Sequence, residues 1–250
     1  MRGTVAPKQR QINPCLGCQN RCSYIFQGLS PEAFAELSTV MRPMQLDRGE
    51  AVFHEGMPAF GLYILCQGKV KLAKHTRGGR SQILKLLGPG EILGEKTLFD
   101  QETYTCYAKT LEPSRLMFIP REDFLAFVKR HPEVAIRLIE KLSRELKVFG
   151  DRLVEITSRS AKERVARVLL ELARAFGEER EEGLDIGVEL PRAELAEMAS
   201  VSTETAIRIL SELKERDILA LPGHRIVIKR LDALQGLVHP FRTFLRENLV

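Results

Sequence analysis

No stretch of this 250-residue sequence approaches the ~20 consecutive apolar residues that a membrane-spanning helix needs, so no span is expected. The opening residues, MRGTVAPKQRQINPC, have no apolar core behind their basic side chains. A secretory signal is thereby excluded, and the cytoplasm is the expected location. No glycine-rich phosphate loop precedes a helix. No nucleophile elbow and no H-E-x-x-H pair occurs. The paired acids Glu178/Glu179 and Glu181/Glu182 fall in a charged stretch where solvation is their expected role. An enzyme is therefore not expected. A strong excess of one charge is also missing: 38 Lys+Arg against 33 Asp+Glu give +5, which permits a polyanionic partner without requiring one. From Arg159 to the end, 15 basic residues face 16 acidic ones, so bulk charge does not mark that third as a nucleic-acid binder. By contrast, Arg2, Lys8, Arg10 and Arg21 stand in a tail with no acidic residue before Glu32. Apolar residues at 44% and charged residues at 28% are ordinary for a globular protein and exclude disorder for the bulk of the chain.

The five cysteines are Cys15, Cys18, Cys22, Cys66 and Cys106. An odd count, with three of them inside eight residues, points to metal or redox chemistry rather than a disulfide framework. Around them, residues 1–28 show no periodicity and read as a tail that only a ligand would order.

Residues 30–41 (SPEAFAELSTVM) predict a short helix capped by Ser30, with Pro31 at its first position and Phe34, Leu37 and Val40 as its apolar stripe. From Gln45 to about Pro120, short β-rich runs alternate with glycines, the pattern of a small barrel or jelly roll. TLEPS reads as a hairpin turn within it. Residues 121–129 predict another short helix. After Pro132 a long helix runs to about Ser158. Its apolar residues Ala135, Ile139, Leu142, Leu146, Phe149, Leu153 and Ile156 recur at spacings of 4 and 3, a heptad seam that predicts a parallel dimer.

Residues 160–176 form an amphipathic helix, 177–185 a charged loop and 186–190 (IGVEL) a short strand. Residues 191–199 and 202–217 are two helices joined at Ser200-Val201, and 218–229 is a hairpin turning at Pro222-Gly223. Together they predict a winged helix-turn-helix, in which the second helix enters the major groove by its N-terminal part. Ala196, Val201, Ile209 and Leu213 are its candidate core. Glu204 and Arg208 are four apart and share a face. Arginine bonds guanine bidentately, and a carboxylate accepts from cytosine. Ser202 and Thr203 would lie near phosphates or outer bases, and Arg192, at the start of the first helix, near phosphate.

GEAVFHEGMPAFGLYILCQGKVKL, LGPGEILGEKTLF, AKERVARVLLEL and LPRAELAEMASVSTETAIRILSELKERDIL together resemble the cyclic-AMP receptor protein and fumarate–nitrate reduction regulator (CRP/FNR) family. The resemblance runs from about Gly28 to Ala233. It implies an α+β fold with an N-terminal cyclic-nucleotide-binding-type β jelly roll (29–131), a long dimerisation helix (132–158) and a C-terminal winged helix-turn-helix (159–250). It further implies a homodimer on a palindromic double-stranded DNA operator, with Glu204 and Arg208 reading a TGA-type core, and RNA polymerase as a partner. Thr203 and Ile207 depart from the family's best-known variants, which leaves the outer bases open, as it leaves activation against repression.

Three signals weigh for the barrel. For cyclic AMP, the family's Gly-Glu is present as Gly94-Glu95, but its phosphate-pairing Arg-Ser aligns with Glu102-Thr103, and a carboxylate there repels phosphate. For a [4Fe-4S] cluster, Cys15, Cys18 and Cys22 supply three thiolates at C-x2-C-x3-C. The family's barrel cysteine aligns with Met117, so Cys106, read as lying on the neighbouring strand of the same hairpin, is the candidate fourth ligand. Cys66 is the reserve, and a non-cysteine ligand stays open. Zinc on the same thiolates is the alternative. His54, His75, His131, His224 and His239 have no context that marks a haem ligand. The cluster reading implies an oxygen, nitric oxide or redox sensor. An acidic residue on the family's dimer helix aligns with Phe149, so this dimer is expected to persist whether or not the cluster is bound.

Overall fold

The computed structural model describes residues 23–76, 81–99 and 103–238, with the backbone alone at 155–157. By its contacts the chain divides into two compact units: Met1–Val70 with Leu87–Ser143, and Lys71–Leu86 with Arg144–Val250.

In the first unit, α1 (Pro31–Val40) starts as predicted, with Ser30 Oγ accepting from the Ala33 amide at 3.2 Å. Strand β1 (Arg42–Leu46) begins before the glycine-punctuated region and is missed by it, because RPMQL is exposed and carries a proline. Strands β2 (Ala51–Phe53), β3 (Gly61–Gln67), β4 (Val70–His75), β5 (Ser81–Leu87), β6 (Ile92–Leu93), β7 (Tyr107–Thr110) and β8 (Ser114–Pro120) follow along the chain, β4 and β5 belonging to the second unit except for Val70 and Leu87. They form two four-stranded sheets, ordered β1-β8-β3-β6 and β2-β7-β4-β5. TLEPS therefore does not close a hairpin. It carries the chain from one sheet to the other, with β7 antiparallel to β2 and β8 antiparallel to β1 and β3.

Side chains alternate on a strand, so Leu62 and Ile64 of β3 and Met117 and Ile119 of β8 share one face of the first sheet. There they meet Leu37 of α1, Phe124 and Phe127 of α2 (Arg121–Arg130), and Val134 and Leu138 of α3 (Pro132–Ser158) in one core. Next to that core, the turn after β6 buries Glu95, whose carboxylate lies 2.6 Å from Lys141 Nζ of α3. On the other side of β3, Tyr63 packs against Phe53 and Phe118. Phe53 stacks on Tyr104 at 4.0 Å. Tyr104 donates to the Gly61 carbonyl at 2.8 Å, and burial raises its pKa, so it stays a protonated donor.

In the second unit, α4 (Ala161–Phe176) opens on a capping box between Ser160 and Glu163. Residues 177–185 are not a loop, although Glu178, Glu179, Glu181 and Glu182 are exposed as expected. They pair as the hairpin β9 (Glu178–Arg180) and β10 (Gly183–Asp185). IGVEL, in turn, is not a strand, although its alternation is real: Ile186, Val188 and Leu190 are buried. Helices α5 (Arg192–Ala199) and α6 (Thr203–Glu215) follow as expected, then β11 (Leu219–Ala220), β12 (Val227–Ile228) and α7 (Leu231–Gln235). The wing is thus four strands, ordered β11-β12-β10-β9. Val165, Leu169 and Leu172 of α4, Leu195 and Ala196 of α5 and Ala206, Ile209 and Leu213 of α6 are buried in this unit. Among the described residues, no helix is long and apolar enough to cross a membrane.

Candidate nucleic-acid interface

The site is built on α6. Ser202 is its N-cap: its Oγ accepts from the Thr205 amide at 3.2 Å and lies 3.1 Å from Thr205 Oγ1. The Ser202 hydroxyl is therefore engaged in starting the helix. Of the four residues proposed as its core, Ala196, Ile209 and Leu213 are buried and Val201 is half-buried. That packing turns the opposite face of α6 outward. Glu204, Ile207 and Arg208 are all exposed on it, with Ile207 48% accessible, and Thr203 is half-buried beside them. This face offers methyl, cation and acceptor groups within two turns.

Arg192, expected near phosphate, stands at the start of α5. It is half-buried, and its Nη2 donates to the Gly223 carbonyl at the wing turn, 3.3 Å away. Burial lowers its pKa. In this structure Arg192 ties α5 to the wing.

The wing has an anchor that composition did not reveal. Asp185 is buried, and its Oδ2 lies 2.5 Å from Arg225 Nη2 and 2.7 Å from Arg225 Nε. Its other oxygen accepts from the Gly187 amide at 2.9 Å. The hydrogen bond from Arg225 to Asp185 raises the Arg225 pKa further. Asp185 ends a run rich in acidic residues, so no local signal distinguished it from its solvated neighbours.

The predicted dimer seam lies on α3. Ile139, Leu146, Phe149 and Leu153 are between 54% and 71% exposed. Leu142 is half-buried and packs in part against the core of the first unit. The side chain of Ile156 lies outside the described residues.

Of the expected metal ligands, Cys15, Cys18 and Cys22 lie outside the described residues. Cys106 is half-buried at a bend just before β7. It is not on a strand paired with that of Met117, because β7 and β8 belong to different sheets. Cys66, the last residue but one of β3, is half-buried, with its Sγ 3.7 Å from the Ile64 carbonyl. Glu102 also lies outside the described residues, and Thr103 bridges to Pro58.

Residues 43–131 match the cyclic nucleotide-binding domain family, and residues 163–237 the Crp-like helix-turn-helix domain family. The chain is similar to a CRP-like cAMP-activated global transcriptional regulator of Mycobacterium tuberculosis, 31% identical over 84% of this chain and 94% of that protein. It is also similar to the cyclic AMP receptor protein of Thermus thermophilus, 34% identical over 86% of this chain and 96% of that one. Among solved structures, a c-di-GMP-responsive global regulator of Xanthomonas campestris superposes with a TM-score of 0.71 over 80% of this chain and 100% of its own, at 22% identity, a likeness of fold alone.

Proposed function

The chain belongs to the CRP family of DNA-binding transcription regulators, and from that premise we propose that it reads a palindromic operator as a homodimer through α6. The observation that carries this reading is the outward face of α6, where Glu204, Ile207 and Arg208 stand exposed on a helix whose opposite face is buried. Arg208 bonds a guanine edge, Glu204 accepts from cytosine, and Ile207 covers an apolar base edge. The N-terminus of α6, with Thr203, approaches phosphate. The exposed apolar face of α3 supports the dimer, which sets two recognition helices about one turn of DNA apart. Selection of duplexes from a random pool, followed by binding of the winner at fixed salt, tests this; recovery of an inverted repeat supports it, and recovery of no preferred sequence overturns it. RNA polymerase is the proposed partner, and transcription in vitro from a promoter bearing the selected site reads both its recruitment and its sign.

For the signal we infer an iron–sulfur cluster on Cys15, Cys18, Cys22 and Cys106. Thiolates are the donors such clusters take, and Cys106 is half-buried at a bend, compatible with ligation from outside the barrel. When bound, the cluster would supply sensitivity to oxygen, nitric oxide or redox poise. The family's cyclic nucleotide fits these residues less well. Glu95 is buried against Lys141, and Glu102 stands where the family's phosphate-pairing arginine would be. Anaerobic purification with iron and sulfide analysis decides. About four irons per chain with matching sulfide support the cluster. One zinc and no colour make the cysteines a structural clip, and a metal-free protein that binds cyclic AMP overturns the inference.

A further inference from the structure

Arg164 lies in the first turn of α4, and each of its three guanidinium nitrogens donates to a backbone carbonyl. Nε reaches Ala199 O at 3.0 Å, Nη2 reaches Ser200 O at 3.2 Å and Nη1 reaches Arg159 O at 2.7 Å. These acceptors come from separate places. Ala199 is the last residue of α5, Ser200 is the turn between α5 and α6, and Arg159 is at the junction of α3 and α4.

The turn needs such support. Ser200 adopts a left-handed conformation, φ 52° and ψ 49°, which costs a non-glycine residue energy. The carbonyls at the end of a helix have no partner within it, and a cation there complements the helix's negative end. Ser202 caps α6 only two residues after Ser200, so the turn decides where α6 starts and which way it points.

We propose that Arg164 is a positioning residue for DNA reading: it holds the α5–α6 turn and ties it to the α3–α4 junction, so that a displacement of the junction is delivered to the recognition face. This rests on the proposal that α6 reads DNA. Arginine suits the task because its planar fork serves several acceptors at once, whereas lysine offers a point charge.

The test uses the full chain as wild type, Arg164→Gln and Arg164→Lys. Binding is measured on the duplex that the wild type selects and on a random duplex of equal length. Backbone hydrogen exchange is followed in peptides covering 157–162, 198–204 and 165–173. Arg164→Gln is expected to lose about tenfold or more on the selected duplex, since charge-assisted hydrogen bonds are lost. Random-duplex binding should stay within about twofold, because a phosphate contact is not what is removed. Exchange should quicken in 157–162 and 198–204 and not in 165–173. Arg164→Lys, which keeps the charge, should restore only part of the affinity. Selected-duplex binding within twofold of wild type in Arg164→Gln, or full rescue by lysine, overturns the proposal. Exchange that quickens equally in all three peptides also overturns it, by making Arg164 merely structural. If Arg164→Gln fails to fold, Arg164→Lys decides alone by the same ratios. If the wild type selects no duplex, the DNA reading fails by itself, and the exchange pattern still decides whether Arg164 couples the turn to the junction.

Discussion

Arg208 leaves α6 one turn after Glu204, on a face that packing keeps outward. An exposed ion pair alone is worth little to stability, so its value has to show in binding. Arg208→Ala should cost about 1–3 kcal/mol on the selected operator and relax the preference at one base position, with little change on a random duplex. Titrations on both duplexes at one salt concentration check this, and an equal loss on both would demote Arg208 to a phosphate contact. Two glycines of the winged unit give a contrasting pair. Gly223, at the wing turn, has φ +61° with nothing within 4 Å of an added Cβ. Gly187 has φ +68°, and an added Cβ would meet Phe176 O at 1.8 Å. Gly223→Ala should therefore cost only the left-handed strain, about 1–2 kcal/mol. Gly187→Ala adds a backbone clash beside the Asp185 anchor and should be clearly worse, unfolding the wing. Thermal melts of the two variants rank them, and equal melting points would refute the account.

Helix starts carry their own chemistry; the cap at Ser30 was legible in the sequence, whereas Ser160 and Ser202 were not read as caps. Ser30, Ser160 and Ser202 each precede a helix and each accepts a backbone hydrogen bond at its third residue. Ser160→Ala should remove one half of the capping box and cost about 1 kcal/mol, read as a lower unfolding midpoint. What was misread has a physical reason. The hairpin β9–β10 is built from EER and GLD, with almost no apolar alternation, because its strands are exposed except near Asp185. IGVEL alternates well and yet does not pair as a strand, because alternation reports which side chains are buried and not which backbone groups bond. TLEPS has the turn residues of a hairpin, but a turn that links two sheets uses the same residues as one that joins neighbouring strands. At the site, α6 and its outward residues were readable from spacing. Arg192 in its tie to the wing, Arg164 and Asp185 were not, because their partners are carbonyls and side chains far along the chain.

At the scale of the whole molecule, the long helix α3 has a face that the described residues of one chain leave uncovered. Four apolar side chains at heptad spacing, each more than half exposed, are costly to leave in water, and a second copy of the same helix matches their period. At about 25 cal/mol per Å², covering such a stripe from both sides is worth several kcal/mol before the cost of association. No charge interrupts the seam at Phe149, where loss of a cofactor would otherwise let repulsion separate the subunits. The dimer should thus persist at micromolar concentration with or without iron, and the signal should act on the orientation of the reading heads instead. Sedimentation of the protein before and after chelation checks this directly, and a monomer after chelation would sink it. Leu146→Glu together with Phe149→Glu places four carboxylates across the seam of a dimer, where like charges repel. That variant should sediment as a monomer while keeping its helical signal. It should also bind a single half-site nearly as well as the wild type while losing the advantage of two linked heads on the full palindrome, a gain that linkage typically sets at about 100-fold or more. If the double variant stays dimeric, α3 is not the seam and its exposed face covers something else.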